Sequence, residues 1–364
     1  MPSHSCRIIH ILSGDLWAGA EVMAFNLLKG LISTENYIIK AIVLNKGQVA
    51  FKLRKEGIQV VVLDESQSSF PNLVAKVRGI IRDFKPHIVH AHRYKENILA
   101  FSASLGIKGI KLVATQHGMP ETQTKGTTFK SILIQRLNSF ILNRFFDNLV
   151  AVSWEMKDSL VKKGFRSKKV SVIHNGIELP QCLQKVGTKN SFVVGSCGRL
   201  FPVKNYELFI ETAAQLPEIQ FVLAGDGPEM EKLRLQCTRA DLDDNFTFLG
   251  QIQDMQSFYS NLDLYMSTSI HEGIPMSVLE AMGHGLPVIA PKVGGFPEII
   301  DDGVDGLLIP RHKPELFAKA CLQLYSEPAL LAKASRAARV KVESKFSVQH
   351  MTTDYINLYQ NLTA

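Results

Sequence analysis

The residues best suited to chemistry lie in one short stretch of the second half, where two carboxylates stand on either side of a proline. The stretch reads Glu272-Gly273-Ile274-Pro275-Met276, and Glu280 follows it. Pro275 fits the first turn of a helix, because it fixes the backbone angle and brings no N–H that would need an acceptor. The first N–H groups of such a helix are free and bind anions. The carboxylates would then lie roughly two turns apart along one helix, near enough to contact different parts of an elongated ligand.

A plain acidic helix face is the alternative interpretation of the two glutamates, and the Gly273-Ile274-Pro275 insertion and the turn at Gly285-Leu286-Pro287-Val288 argue against it. A second pair of residues could act with them. Arg199 and Lys204 come soon after a predicted strand at 192–197. At such a strand end, two cations can converge with helix-end N–H groups on a diphosphate. Taken alone, the loop that carries Arg199 and Lys204 would be interpreted as an ordinary solvent-exposed loop. The presence of Glu272 and Glu280 as well favours phosphate binding.

The first half offers four further candidates, Gly19, His117, His90 and His92, at or after the ends of predicted strands. Gly19 lies among small residues between the first strand and a helix, where a backbone can approach a ligand closely. His117 follows a predicted strand at 111–116 and is our first choice for a catalytic contact. His90 and His92 end another strand with basic residues behind them; an acceptor-phosphate site and an ordinary basic loop both stay open.

The elements that must position these residues are short apolar runs alternating with amphipathic segments, which is typical of parallel sheets flanked by helices. The predicted strands are 7–12, 37–44, 59–63, 87–90, 111–116, 148–152, 170–173, 192–197, 220–224, 246–249, 262–266, 287–290 and 306–309. The polar segment 181–190 lacks periodicity and is predicted to be a linker. We therefore expect an α/β fold with Rossmann-like domains at 1–180 and 191–347, and a final helix at 348–362 that packs back on the first domain.

Composition excludes several classes of protein. The 364 residues are 46% hydrophobic and 21% charged, as in folded globular chains. Residues 1–180 carry a net charge of +12 and residues 181–364 carry −5, so the first half attracts phosphates or an anionic surface. No motif accompanies the charge to indicate nucleic acid. The five scattered cysteines suit reduced thiols in a cytoplasmic protein, and the sequence predicts neither a signal peptide nor a membrane span.

The segment 130–146 combines large apolar residues with three cations and no acid. It is interpreted either as a core helix or as a helix that lies on the surface of an anionic membrane. Asp241 and Asp243 superficially match a metal-binding D-x-D pattern, but they precede a strand in a polar run where turn residues are expected. No metal site is predicted.

Together these motifs resemble the retaining glycosyltransferases of the large family 4 group. The resemblance rests on the Glu272 to Glu280 segment, Gly198-Arg199-Leu200 with Lys204, the turn 224–228 and Gly294-Gly295-Phe296-Pro297-Glu298. It implies a GT-B fold, in which two Rossmann-like domains face each other across a central cleft, and a metal-independent hexosyltransferase without a cofactor. The family usually has paired glycines where this chain has Ala18 and Gly19.

The resemblance also implies a role for each candidate. Arg199, Lys204 and the N–H groups of Gly273, Ile274 and Met276 around Pro275 would hold the diphosphate of a nucleotide-sugar donor. Glu280 would bind the nucleotide ribose, Glu272 and His117 the transferred sugar, and Gly19 the donor phosphate or the acceptor. The acceptor would be a sugar or a lipid-linked molecule in the synthesis of a bacterial surface glycan or glycolipid, at the inner face of the membrane. The nucleotide base is expected near 249–251, and acceptor selection in loops such as 118–128.

Three other functions fit parts of the pattern. A sugar-nucleotide epimerase shares the architecture but lacks support from the Glu272 to Glu280 helix. A nucleotide-sugar-binding protein without turnover would keep Arg199 and Glu280 and lose the catalytic side, whereas His117, Glu272 and Lys204 are all present. A dinucleotide oxidoreductase is disfavoured, because no G-x-G-x-x-G follows the first strand of either domain.

Overall fold

The chain folds into two units, each built on one parallel β-sheet. The computed structural model describes residues 5–14, 17–118, 129–180 and 191–364. Unit 1 comprises Met1–Gly176 and Val348–Ala364, and unit 2 comprises Ile177–Ser347. The predicted linker 181–190 and most of the predicted acceptor loop, 119–128, lie outside the described residues.

The strands lie close to their predicted positions, and each differs from its prediction by at most two residues at either end. Unit 1 contains β1 (Cys6–Leu12), β2 (Tyr37–Val43), β3 (Gln59–Val62), β4 (Ile88–Ala91), β5 (Lys111–Gln116), β6 (Asn148–Ala151) and β7 (Val170–Val172). Unit 2 contains β8 (Val193–Cys197), β9 (Gln220–Ala224), β10 (Phe246–Gly250), β11 (Leu264–Met266), β12 (Val288–Pro291) and β13 (Gly306–Ile309). The predicted α/β fold class with two Rossmann-like domains is confirmed.

Helices follow most strands and cover the sheets. In the first half they are α1 (Gly19–Ile32), α2 (Gln48–Lys55), α3 (Phe70–Phe84), α4 (Tyr94–Ser104), α5 (Phe129–Phe145) and α6 (Trp154–Lys162). In the second half they are α7 (Tyr206–Ala213), α8 (Met230–Arg239), α9 (Met255–Ser260), α10 (Met276–Gly283), α11 (Phe296–Ile299), α12 (Pro314–Ser326), α13 (Pro328–Lys345) and α14 (Val348–Thr363).

Both sheets are doubly wound, so the direction of strand addition reverses at one place in each. The order is β3-β2-β1-β4-β5-β6-β7 in unit 1 and β10-β9-β8-β11-β12-β13 in unit 2. The reversal lies between β1 and β4 in the first sheet and between β8 and β11 in the second. Open α/β sheets bind ligands outside the carboxyl ends of the strands at such a point. His90 lies within β4, and the other candidate residues follow β1, β4, β5, β8 and β11.

The central strands are apolar because helices bury both faces of each sheet. Ile8, Ile9 and Ile11 of β1 are fully buried, as are Ile88 and Val89 of β4. His10 and His90 interrupt these runs and lie side by side in the register of the two strands. Two fully buried imidazoles in the middle of a sheet require partners or a function, since buried polar groups are normally hydrogen-bonded.

Helix α14 belongs to unit 1 and packs against α1. A side chain at Gly30 of α1 would lie 2.1 Å from the Thr352 hydroxyl oxygen, so only glycine allows this approach. Tyr355 and Tyr359 of α14 are fully buried, and the Tyr355 hydroxyl lies 2.9 Å from Thr115 Oγ1 of β5. The final helix therefore completes the core of the first sheet.

Candidate active-site residues

Lys204 and Glu272 meet at the carboxyl edge of the second sheet. Lys204 ends the loop after β8, and its Nζ lies 2.5 Å from Oε1 of Glu272 in the loop after β11. Ser269 donates a second hydrogen bond to the same oxygen, at 2.8 Å. The two loops are also tied by the Thr268 hydroxyl, which donates to the Lys204 carbonyl. A cation and a carboxylate predicted from separate motifs are thus held together, and both side chains stay partly exposed.

A pair of glycines fixes the backbone that carries Glu272. Gly295 donates its N–H to the Glu272 carbonyl, at 3.1 Å. A Cβ at Gly294 would lie 2.2 Å from the Glu272 carbonyl oxygen, and a Cβ at Gly295 would lie 1.7 Å from that of Gly273. Side chains at either position would therefore displace the loop, which explains why the Gly-Gly pair follows β12.

Helix α10 begins at Met276, four residues after Glu272, and carries only one of the two glutamates. Pro275 is the residue before the helix, and Glu272 lies in the preceding loop, so the prediction that both carboxylates share one helix was wrong. The cause is the Gly273-to-Pro275 stretch, which holds the chain off the helical path until Met276. Among the described residues, the N–H groups of Gly273, Met276 and Ser277 have no acceptor. The start of α10 therefore presents the free backbone N–H donors that were predicted there.

Glu280 lies on α10 and is held by a tyrosine. The Tyr259 hydroxyl donates to Glu280 Oε2 at 2.8 Å. Burial raises the pKa of Glu280 from an ordinary value of 4.5 to about 7, and the bond from Tyr259 opposes this shift. Burial therefore makes this carboxyl group costly to ionise unless further hydrogen-bond donors reach it.

Arg199 is an exposed residue of the same edge. Its guanidinium lies 4.8 Å from the centre of the Phe201 ring, which supports the side chain through a cation–π contact. A Cβ built on the neighbouring Gly198 would lie 3.9 Å from Lys204 Nζ, so the lysine ammonium is next to the backbone that carries Arg199. The two cations predicted to hold a diphosphate thus belong to one compact loop.

In unit 1, His117 and Gly19 both lie at carboxyl strand ends. His117 follows β5, and its Nε2 lies 3.2 Å from Nδ1 of His92. Burial lowers the pKa of His117 from 6.5 to about 3, so the ring is neutral. Gly19 is the first residue of α1 and is exposed. Behind it, Arg93 forms a 2.5 Å ion pair with the buried Glu21.

Three buried histidines of unit 1 bring ring nitrogens within reach of a single metal ion. Nitrogens of His10, His90 and His92 lie within 4.8 Å of one another. Both nitrogens of His90, both of His92 and one of His10 are already engaged in hydrogen bonds. Asp241 lies in a turn before β10, as expected of turn residues.

Helix α5 contains most of the segment 130–146, which was interpreted either as a core helix or as a membrane-surface helix. Leu133, Leu137 and Phe140 share one helical face and are exposed, Phe140 by 61%. The core interpretation therefore fails for this face, although Ile141 is buried on the other side. No helix within the described ranges is long and apolar enough to cross a bilayer.

Three residues that contact the candidate site were missed from the sequence. Ser269 and Tyr259 bind the two glutamates, and His10 contacts His92. Two of these residues had a signal in the sequence: Ser269 belongs to a Ser-Thr-Ser run after β11, and His10 is an isolated histidine in the apolar strand β1. Tyr259 gave none, because its contact depends on how α9 packs beside α10.

Comparisons with known proteins agree with this arrangement. The family model "Glycosyltransferase Family 4" matches residues 17–181, and the model "Glycosyl transferases group 1" matches residues 183–341. The two matches together span nearly the whole chain. The chain is 27% identical to an Escherichia coli UDP-Gal:alpha-D-GlcNAc-diphosphoundecaprenol alpha-1,3-galactosyltransferase over 300 residues, which is 77% of this chain and 76% of that protein.

Solved structures show the same fold. Anabaena Alr3699/HepE in complex with UDP superposes with a TM-score of 0.83 and 23% identity, covering 98% of this chain and 100% of that chain. TarM superposes with a TM-score of 0.82 and 15% identity, covering 99% and 100%. The two family matches show that the chain belongs to the family 4 group of glycosyltransferases, and the superpositions show that it has the GT-B fold.

Proposed function

We propose that the chain transfers a hexose from a nucleotide-diphosphate sugar to an acceptor with retention of anomeric configuration, without a metal ion or another cofactor. The observation that carries the proposal is the contact between Lys204 and Glu272, beside the free N–H groups at the start of α10. One edge of one sheet thus presents a cation, a carboxylate and N–H donors together. A diphosphate joined to a sugar needs all three.

Each group has a separate task in this proposal. Arg199, Lys204 and the N–H groups of Gly273 and Met276 bind the diphosphate, since N–H donors at a helix start and side-chain cations both favour anions. Lys204 has three N–H bonds and uses one on Glu272, so it can contact the ligand without leaving its partner.

The carboxylates bind the hydroxyl groups of the donor. Glu280 accepts from the ribose hydroxyls and Glu272 from those of the sugar. In unit 1, His117 and Gly19 remain the predicted contacts of the sugar and of the donor phosphate or acceptor.

The chemical step places charge where these groups lie. The bond between the anomeric carbon and the diphosphate oxygen breaks, and an acceptor hydroxyl oxygen forms the new bond on the same face of the sugar. The hydroxyl proton passes to the departing diphosphate. Fixed cations stabilise the negative charge that develops there, and each charge-assisted hydrogen bond contributes roughly 1.5–3 kcal/mol.

The relatives support a uridine nucleotide and a lipid-linked acceptor. The Escherichia coli relative is named for UDP-Gal and a diphosphoundecaprenol acceptor, and Anabaena Alr3699/HepE was solved with UDP-glucose. Other relatives are named for O-antigen and lipopolysaccharide core synthesis. We infer that this chain acts in bacterial surface polysaccharide or glycolipid synthesis.

The test combines a binding screen with one substitution. Nucleoside diphosphates and their sugars, uridine forms first, are screened for an increase in melting temperature, since a ligand that binds only the folded state stabilises it. Lys204→Ala is then expected to lower kcat/KM by about 10- to 150-fold, the equivalent of one charge-assisted bond. Lys232→Ala is the control, because that lysine also contacts a glutamate but lies on the exposed surface of α8. Unchanged turnover in folded Lys204→Ala would remove the phosphate role.

The exposed face of α5 supports contact with an anionic bilayer. Arg136 and Arg144 are exposed on the helix that presents Leu133, Leu137 and Phe140. Apolar area combined with positive charge binds lipid surfaces, and residues 1–180 carry the positive half of the chain. A lipid-linked acceptor would be reached from this position.

Vesicle flotation tests the contact. The protein is expected to float with vesicles that contain anionic lipid at low salt and not with neutral vesicles. Leu137→Ser combined with Phe140→Ser should abolish flotation without loss of stability, because both side chains are already exposed. Leu235→Ser on α8 removes an equally exposed leucine from unit 2 and should float as the wild type does. Absence of binding by the wild type would retire the proposal.

A further inference from the structure

The carboxyl group of Glu280 ends a short chain of buried polar side chains in unit 2. Tyr259 of α9 donates its hydroxyl to Glu280 Oε2 at 2.8 Å, and Sγ of Cys197 lies 3.3 Å from the same tyrosine oxygen. Tyr259 and Cys197 are both buried. Three elements of unit 2, β8, α9 and α10, are thus joined by two side-chain contacts.

The direction of these hydrogen bonds follows from the protons available. An ionised carboxylate accepts hydrogen bonds and cannot donate them, so the single hydroxyl proton of Tyr259 lies toward Glu280. Burial raises the pKa of the Cys197 thiol to about 11 and holds the pKa of Tyr259 well above its ordinary value, so both keep their protons at neutral pH. The thiol can therefore donate to the tyrosine oxygen while the tyrosine donates to the carboxylate.

The ring of Tyr259 is also packed against the end of α10. Its centre lies 5.0 Å from that of the His284 ring, and Nδ1 of His284 lies 2.8 Å from the carbonyl oxygen of Glu280. A glutamate side chain has several rotamers of its own. A hydroxyl on a ring that is held in this way favours the one rotamer that brings Oε2 to it.

The other end of the polar chain lies at the start of the Arg199 loop. Cys197 is the last residue of β8, and Gly198 and Arg199 follow it directly. Tyr265 of β11 fixes this point, because its hydroxyl donates to the Cys197 carbonyl at 3.2 Å and accepts from the Cys197 N–H at 3.3 Å. The contact between Cys197 and Tyr259 therefore links the carboxyl group of Glu280 to the strand that leads into the loop.

The contact with Tyr259 leaves the second oxygen of Glu280 for a ligand. Among the described residues, none donates a hydrogen bond to Oε1, and the residue stays partly exposed. Burial raises the pKa of Glu280, and the bond from Tyr259 opposes this shift. Tyr259 thus supplies the first donor that favours the ionised form, and the hydroxyl groups of a ligand would supply the others.

We propose that Tyr259 is a positioning residue for nucleotide recognition, which holds the Glu280 carboxylate so that Oε1 accepts from the ribose hydroxyls of the donor. This rests on the proposed function, because that function assigns Glu280 to the ribose. Tyr259 is only 1% exposed and acts through Glu280. The alternative is a purely structural role, in which loss of the hydroxyl would affect every ligand of the site equally.

The experiment compares the binding of UDP with that of 2′,3′-dideoxy-UDP, which lacks both ribose hydroxyls, by isothermal titration of the full-length protein. The wild type should bind the dideoxy form at least about 10-fold more weakly, since it loses hydrogen bonds to a charged group. In Tyr259→Phe this ratio of affinities should be about 5- to 10-fold smaller, the difference between a charge-assisted and a neutral hydrogen bond. The affinity for 2′,3′-dideoxy-UDP itself should stay at the wild-type value.

Two further variants serve as controls. Tyr265→Phe removes an equally buried hydroxyl that contacts Cys197 rather than Glu280, and it should keep the wild-type ratio. Glu280→Ala removes the carboxyl group itself and should lose most of the ratio. The first variant tests the specificity of the Tyr259 contact, and the second tests the assignment of Glu280 to the ribose.

The pH dependence of the same ratio is the second readout. In the wild type the ratio should rise as pH passes upward through about 7, because ionised Glu280 is the stronger acceptor. The bond from Tyr259 lowers the pKa of Glu280, so the rise in Tyr259→Phe should lie at higher pH. Titration of the diphosphate cancels in the ratio. Of the neighbouring groups, Cys197 and Tyr259 titrate above this range, and burial lowers the pKa of His284 below its ordinary 6.5.

Three results would overturn the proposal. Tyr259→Phe would keep the wild-type ratio and its pH midpoint while Glu280→Ala loses the ratio, or it would lose affinity for both nucleotides equally. The third result concerns the proposed donor site and would appear in the wild type, as absence of UDP binding or as equal binding of the two nucleotides. The role of Tyr259 would then fall together with the assignment of Glu280.

Discussion

Adding one methyl group at Gly295 is expected to disable the proposed donor binding by displacing the backbone of Gly273. Gly295 has an ordinary backbone angle, with φ of −80°, so alanine brings no backbone strain there. The difficulty is space, because the new Cβ would lie 1.7 Å from the Gly273 carbonyl oxygen and 3.0 Å from Ile274 Cδ1. The first of these atoms is backbone and has no rotamer to change.

The size of the effect follows from that distance. Cβ atoms in proteins essentially never come closer than 3.0 Å to such a neighbour, so the backbone at Gly273 must move by about 1.3 Å. Gly273 lies between Glu272 and the start of α10, and both would move with it. A displacement of about 1 Å at a binding site can cost roughly 100-fold. The overpacking itself should cost about 1–3 kcal/mol of the free energy of unfolding.

Isothermal titration with UDP and urea denaturation measure the two effects separately. Gly295→Ala should bind UDP about 100-fold more weakly than the wild type while remaining folded. Gly303→Ala is the control: its φ of +77° makes alanine unfavourable by about 1–2 kcal/mol, but the space around it is open. It should lose stability and keep its affinity. A folded Gly295→Ala protein with wild-type affinity for UDP would refute the reasoning.

Two further substitutions test buried charges in unit 2. Because the pKa of Glu280 is raised from 4.5 to about 7, the folded state binds the proton more tightly, and the wild type should lose about 3 kcal/mol of stability as pH rises across that window. In urea denaturation between pH 5 and pH 8, Glu280→Gln should decline by about 3 kcal/mol less than the wild type, while the buried Glu96, whose pKa is also raised to about 7, contributes equally to both profiles. Equal declines in the two proteins would argue against a buried acid at Glu280. Lys341 contacts Asp301 and Asp305 at 2.9 and 3.3 Å and is only 8% exposed, so Lys341→Met should cost about 3–5 kcal/mol. Lys232→Met, which removes an exposed lysine that also bridges two carboxylates, should cost less than about 1 kcal/mol, and equal losses would contradict the role of burial.

The strands were predictable from sequence because helices bury both faces of a parallel sheet. Each strand is therefore a short run of apolar residues. Their alternation with amphipathic helices fixed the fold class, and the runs ended where Gly, Pro or polar residues follow. The positions of the candidate residues at strand ends were predicted for the same reason. Parallel strands bring their carboxyl ends to one edge, so residues far apart in sequence, such as Lys204 and Glu272, become neighbours.

What escaped prediction depends on contacts between elements. The helical placement of Glu272 was wrong because spacing alone does not show where a helix begins, and the Gly294-Gly295 pair packs on the backbone that delays its start. The exposed face of α5 could not be separated from a core face, since periodicity shows that residues share a side but not what covers that side. The link between His10 and His92 requires the register of β1 against β4, which no local pattern contains.

The return of α14 to unit 1 has a consequence for how the protein is made. The ribosome synthesises the first part of unit 1, up to Gly176, long before it reaches Val348. Tyr355 and Tyr359 of α14 nevertheless belong to the core of unit 1. The core of the first sheet therefore stays incomplete while Ile177–Ser347 is synthesised, because α14 is not yet present to cover Thr115 and Gly30. Unit 2 contains no segment that follows Ser347, so it is the core of unit 1 that depends on the last helix to be synthesised.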